Sequence, residues 1–192
     1  MVRTVTYGRL NNYMKERTLD IGIGKGGIYT HNSSSMRVGL DIDLVALKLF
    51  TEDPLVTLCQ ADAEQKLPFA SNLFHHVDII LPHDELLFAL TEPPTLLWLE
   101  LNRVTKRNAD IDIVVDVPMM GNQGVYVHKK PIIISMPHIR IIDSAEGSDF
   151  KTSAFVEMNS NDVKNLGTQY STYLANDIAF GTKIYKMTFK KH

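Results

Sequence analysis

Residues 18–23 (TLDIGI) form a short apolar run that breaks into a cluster of glycines, Gly22, Gly24, Gly26 and Gly27. Glycine reaches positive φ at no steric cost and projects no Cβ, so such a junction can turn sharply and let a ligand approach the backbone. That restricts the chain to folds in which a buried strand delivers its carboxyl end to a crevice. The rest of the first half fits. Residues 36–41 (MRVGLD), 55–60 (LVTLCQ), 76–81 (HVDIIL) and 109–117 (ADIDIVVDV) read as further strands. Residues 44–50 and 94–105 carry helical apolar spacing, the second with Pro94 near its first turn. Strands separated by helices imply right-handed βαβ units and a parallel sheet.

The second half changes character. Residues 126–142 contain the β-branched runs PIIIS and IRII, broken by Pro131 and Pro137, and their spacing assigns neither helix nor strand. Residues 154–158 and 183–190 alternate like strands of an antiparallel edge, and 161–179 between them read as partly helical. The expectation is a single domain over 1–192 with a variable segment at about 118–150.

Two acids follow the glycines at informative distances. Asp41 ends the second strand, roughly twenty residues on, where a carboxylate can accept both hydroxyls of a ribose. Asp62 lies just past the third strand, where it can reach an adenine edge. An Asp at a strand end is also a common helix cap, and Gly22-x-Gly24-x-x-Gly27 satisfies the dinucleotide fingerprint too. Two features favour S-adenosylmethionine (SAM) over a dinucleotide. Asp20 stands two residues before Gly22, placed for the ammonium of an amino-acid moiety. The segment IYTHNSSS after the loop is a poor start for the long helix that supports a pyrophosphate.

Composition narrows the class. The 192 residues are 44% hydrophobic and 22% charged, ordinary for a folded chain and contrary to disorder. The formal charge of -2 does not by itself point to a nucleic-acid binder. Cys59 is the only cysteine, which excludes a disulfide framework. No apolar run reaches membrane-spanning length, and residues 1–17 lack the apolar core of a signal peptide, so the cytoplasm is expected.

At motif level, Asp20-x-Gly22-x-Gly24, the Gly39-Leu40-Asp41 strand end and Ala61-Asp62-Ala63-Glu64 running into Leu67-Pro68-Phe69 resemble class I SAM methyltransferases. Residues 79–87 (IILPHDELL) and 179–183 (AFGTK) are similar to the aminoglycoside-resistance 16S rRNA methyltransferases, which methylate N1 of an adenine in the decoding site. The resemblance runs over about 18–101 and again over about 162–192. It implies a Rossmann-like α/β sheet, mostly parallel, with an antiparallel C-terminal strand. It implies SAM bound by Asp20, Gly22, Gly24, Gly26, Asp41, Asp62, Ala63, Glu64 and Leu81. It also implies RNA or the small ribosomal subunit as partner, with Pro82, His83, Tyr173 and Leu174 around a flipped base. The departures fall at that base. His83 and Leu174 stand where the family has tryptophans, Asp84 replaces a glycine, and the basic residues flanking the AFG motif are thinned to Lys183. A small-molecule methyltransferase, or a SAM-binding protein without transferase activity, are the alternatives.

The remaining constellations read blandly. His76 and Asp78 share one strand face while His75 takes the other, so the histidine-rich run is expected to hold no metal. Cys59 and Trp98 sit in apolar patterns and read as core. Lys186, Lys190 and Lys191 read as a solvated basic face.

Overall fold

The computed structural model describes residues 16–24, 36–48, 56–92, 95–117, 122–127, 130–164, 174, 178 and 182–192. Along the chain these give β1 (Arg17–Ile21), β2 (Met36–Asp41), α1 (Leu44–Lys48), β3 (Val56–Gln60), β4 (Phe74–Ile80), α2 (Asp84–Thr91) and α3 (Leu96–Val104). Then follow β5 (Thr105–Val117), β6 (Asn122–Val127), β7 (Lys130–Ser135), α4 (Pro137–Glu146), β8 (Phe150–Met158), α5 (Ser160–Lys164) and β9 (Lys183–Lys191).

Seven strands form one sheet in the order β3-β2-β1-β4-β5-β9-β8, and β6 and β7 form a separate hairpin. The strands β1 to β5 pair in parallel, whereas β9 runs antiparallel to both β5 and β8. The sheet is therefore Rossmann-like, mostly parallel, with an antiparallel C-terminal strand. The chain leaves β1 for β2 on one side, and β4 returns on the other. This reversal opens a crevice at the carboxyl ends of the strands, the usual ligand position in such sheets.

Alternation along the strands gives the sheet two unlike faces. Leu19, Ile21, Val77, Ile79, Ile111, Ile113, Met187 and Phe189 fall on one face. They pack with Leu86, Leu90, Trp98, Leu101 and Ile141 from α2, α3 and α4. Trp98 is fully buried, donates its Nε1–H to the Leu90 carbonyl at 3.0 Å and meets Phe150 and Phe189 at 5.6 and 5.9 Å between ring centroids. Buried Cys59 joins the same core.

The opposite face carries charge. Asp20, Asp78 and Asp112 are in register across β1, β4 and β5, and all three are buried. Parallel strands covered on both faces are normally apolar throughout, so this row needs partners. Arg37 Nη1 reaches Asp20 at 3.4 Å, His76 Nε2 reaches Asp78 at 2.9 Å, and Lys186 Nζ and Thr188 Oγ1 reach Asp112 at 2.6 Å each. Further toward the carboxyl ends the same face turns apolar, where Ile80, Val114, Met158, Val163, Leu174 and Ile184 cluster.

Several sequence expectations are corrected or completed here. The run 84–91 is the helix α2, which is too short for its period to show in the sequence. IRII, which its spacing left unassigned, falls inside α4, because Pro137 starts a helix at a position where a missing N–H costs nothing. Lys186 and Lys191 are not a solvated face: the first pairs with Asp112, and the second donates to the carbonyls of Asn102 and Thr105. Among the described residues no helix is long and apolar enough to cross a membrane.

Candidate functional site

The crevice is built from the ends of three adjacent strands. After β1 the backbone turns through Gly22 at φ 73° and Gly24 at φ 56°, conformations that tolerate no side chain cheaply. Gly22 N–H donates to the Leu40 carbonyl at 2.8 Å, and Gly24 N–H donates to Asp41 Oδ2 at 2.8 Å. The other oxygen of Asp41 accepts Asp43 N–H at 2.8 Å. The acid that ends β2 is thus held by two backbone donors, and each of its oxygens keeps a further lone pair. Gly39 completes the fit: a Cβ there would lie 2.8 Å from Ile23 Cδ1, so its absence lets Ile23 fold over β2.

Past β3 the chain turns on Asp62, whose Oδ1 accepts Glu64 N–H at 2.9 Å while its carbonyl accepts Gln65 N–H at 3.2 Å. This turn is anchored from behind. Glu100 accepts Leu67 N–H at 2.7 Å, and Arg103 donates to Glu100 and to the carbonyls of Leu67 and Phe69 at 2.6 to 2.9 Å. The Arg103 hydrogen bonds hold the Glu100 carboxyl below its ordinary range.

After β4 the backbone adopts φ 50° at Leu81, a non-glycine residue in the left-handed region, secured by Leu81 N–H to the Val114 carbonyl at 2.9 Å. Such strain persists where the surroundings impose it, often beside a functional site. It presents His83 as the N-cap of α2, with Nδ1 accepting Leu86 N–H at 3.3 Å and lying 3.6 Å from Glu85 Oε2.

These three turns enclose a cleft of about 450 Å³, within the range of ligand sites. Gly22, Asp41, Asp62, Ala63, Glu64 and His83 line it. Glu85, Leu86 and Ile42 line it as well and were not singled out from the sequence. The missed signal was the acidic pair Asp84-Glu85 after a capping residue, which marks the first turn of a helix. The described lining holds the carboxylates Asp41, Asp62, Glu64 and Glu85, and neither Lys nor Arg.

Other expected site residues fall elsewhere. Asp20 is not among the lining residues: its carboxyl lies in the buried charged row of the sheet, because its position in β1 directs it to that face. Burial, reinforced by the Asp78 charge, pushes the Asp20 carboxyl well above the ordinary carboxylate range, and Arg37 offsets this only in part. Asp20 Oδ2 is buried without a hydrogen-bond partner. Leu174 is fully buried against Ile80, Val114 and Ile184, so it is core and cannot wall a pocket. Leu81 packs beside that cluster, and neither it nor Pro82 lines the described cleft. Gly26 and Tyr173 lie outside the described residues. His76, Asp78 and Asp112 approach within metal-ligand spacing, but Lys186 already meets Asp112 there and Arg37 flanks Asp78 at 3.9 Å. Burial alone would lower the His76 pKa, yet the hydrogen bond and charge of Asp78, helped by Asp112 and Asp110, raise it.

No protein-family model matches the sequence, and no curated protein matches it. Solved structures do match. The chain is similar to an antibiotic-related methyltransferase, at TM-score 0.69 and 16% identity over 99% of this chain and 100% of that one. It is similar to the 16S rRNA methyltransferase KamB, at TM-score 0.69 and 14% identity over 100% and 99%. It is also similar to the (4+2)-cyclase SpnF, at TM-score 0.61 and 15% identity over 92% and 75%. At such identities the likeness establishes the fold; a cyclase shares it with methyltransferases, so the reaction must be argued from the site.

Proposed function

We propose that this chain is a SAM-dependent methyltransferase that works as one unit over residues 1–192 in the reducing cytoplasm. The observation that carries the reading is Asp41, fixed by Gly24 and Asp43 at the mouth of a glycine-floored cleft and still able to accept two ribose hydroxyls. A cationic nucleoside fits the residues present. The lining is acidic, and the glycine turn offers no Cβ to obstruct it.

SAM, when bound, supplies a methyl group already activated by its sulfonium. The chain's own task is then alignment, and holding the reactants in line can supply most of the acceleration. Asp41 binds the ribose, the Asp62–Glu64 turn orients the adenine, and the Arg103–Glu100 clamp keeps that turn rigid. The strained Leu81 turn carries His83 to the cleft, while Pro82, Tyr173 and Gly26 are assigned to the site by the resemblance alone.

The acceptor we infer is RNA of the small ribosomal subunit, with 118–150 as a variable segment of the same domain. Two things support this. Residues 79–87 and 179–183 resemble the 16S rRNA methyltransferases, and one solved structure of the same fold is such an enzyme. One observation favours a second reading. A described lining with four carboxylates and no Lys or Arg suits a neutral or cationic small molecule better than a phosphate chain. Labelled SAM offered with 30S subunits, naked rRNA and a metabolite panel decides between them. Transfer to a ribosomal substrate that falls as salt rises supports RNA, since phosphate contacts are salt-sensitive. Transfer only to a metabolite overturns it.

A further inference from the structure

His83 and Glu85 form a pair that the alignment mechanism does not use. Both line the cleft, at the end of the strand where the acceptor must enter. Two groups compete for the same ring nitrogen. Leu86 N–H donates to Nδ1 at 3.3 Å, a long bond, and Glu85 Oε2 lies 3.6 Å from Nδ1. The competition decides the tautomer. While Nδ1 accepts from Leu86, neutral His83 carries its proton on Nε2 and can only donate to a ligand. When Nδ1 carries the proton and gives it to Glu85, Nε2 becomes a free base. The structure holds the first state, and a shift of a few tenths of an ångström would bring Glu85 Oε2 within hydrogen-bond distance of Nδ1 for the second.

We propose that His83 and Glu85 form a general-base pair, and that the acceptor is a nucleophile bearing a proton, a hydroxyl or an amine, not a bare ring nitrogen. This rests on the methyltransferase reading and deepens it by naming the acceptor chemistry. In the transfer, a hydroxyl gives its proton to His83 Nε2 as its oxygen forms the bond to the methyl carbon, whereas an amine attacks with the lone pair it already has and gives Nε2 the proton it then holds in excess. The carbon–sulfur bond breaks with its pair moving to sulfur, which becomes a neutral thioether. The positive charge lost there appears on the His83 imidazolium, where Glu85 stabilises it, and the proton then leaves to solvent. An adenine ring nitrogen would need none of this, because it carries no proton to give up. A 2′-hydroxyl or an exocyclic amine of RNA meets the requirement, and so does a small phenol or amine.

Asp84 precedes Glu85 in the first turn of α2, and Glu64 is a further carboxylate of the cleft lining.

The test needs no known acceptor. The full chain, labelled with ¹⁵N, is saturated with S-adenosylhomocysteine at about pH 8, where an ordinary histidine is neutral. Long-range ¹H–¹⁵N correlation of the His83 ring, assigned by its loss in His83→Gln, reads the tautomer. The proposal expects the proton on Nδ1 in the wild type and on Nε2 in Glu85→Ala, where the Leu86 cap bond takes over. A wild-type proton on Nε2, or a tautomer that Glu85→Ala leaves on Nδ1, overturns it. Circular dichroism confirms that Glu85→Ala folds. Calorimetry with S-adenosylhomocysteine on the same samples keeps the two readings apart. Failure of the wild type to bind it breaks the methyltransferase reading, whereas binding with the wrong tautomer breaks only the base pair.

Discussion

Gly24 and Asp41 are tied by a 2.8 Å hydrogen bond from backbone N–H to Oδ2, so the acid proposed to read the ribose also shapes the glycine turn beneath it. Two losses are therefore expected from one substitution. Asp41→Ala weakens SAM binding by about 1–3 kcal/mol, because a charged acceptor is removed. It also lowers the melting temperature, because Gly24 and Asp43 lose their acceptor. Calorimetry and a thermal melt read the two separately. An affinity that stays at the wild-type level, or tight NAD binding by the wild type, contradicts the cofactor assignment.

Behind the adenine turn, Arg103 makes hydrogen bonds to Glu100, Leu67 and Phe69. Arg103→Ala leaves a buried carboxylate without its cation and is expected to cost about 2–4 kcal/mol of stability in a denaturant titration. Arg103→Lys should recover less than half of that, since an ammonium cannot span three acceptors as a planar fork does. Full recovery by Lys would show that charge alone holds the turn.

The buried charged row gives folding a pH dependence with a definite sign. The Asp20 carboxyl titrates higher in the folded chain than its ordinary value of 3.8, so above 3.8 the native chain holds a proton that the unfolded chain has released. Its contribution is fully present below 3.8 and is lost as pH rises through the folded pKa. His76 acts in the same direction from its ordinary 6.5 upward. Asp20→Asn, whose amide does not titrate, should flatten the decline of melting temperature over the acid part of this range and leave the part due to His76. A variant curve parallel to that of the wild type rules Asp20 out as the source.

Trp98 is the single tryptophan of the chain, and it is fully buried. Its fluorescence should be blue-shifted in the native state and move red on unfolding, one probe for the whole core. Trp98→Phe is expected to cost about 1–3 kcal/mol, from the cavity and from the Leu90 carbonyl left without its donor. A native emission at the position of free indole would place the ring outside the core.

The glycine turn, the strand-end acids and the antiparallel last strand were legible in the sequence because each is a local signal: a residue type at a strand end, or an alternation of period two. Asp62 is such a case, since an Asp that opens a turn caps it whatever packs nearby. What was not legible depends on tertiary partners. Asp20 stands at the motif position of a cofactor acid, but its strand position gives it Arg37 and Asp78 as neighbours, and only the register between β1, β2 and β4 reveals that. Leu174 replaces an aromatic residue in the resemblance, and an aliphatic side chain there is better placed in the apolar cluster than at a wet rim. The helix α2 escaped because eight residues between prolines carry too few turns for a period to show.

The insertion of β9 between β5 and β8 has a consequence for biosynthesis. The ribosome makes β8 well before β9, yet among the described residues β8 pairs in the sheet with β9 alone. On the growing polypeptide β1 to β5 can pair as they emerge, while β8 must wait with its edge unpaired and its Phe150 and Met158 side chains uncovered until β9 has emerged. The nascent protein therefore passes through an interval in which five strands are paired and one waits, and that interval is when a chaperone has most to bind.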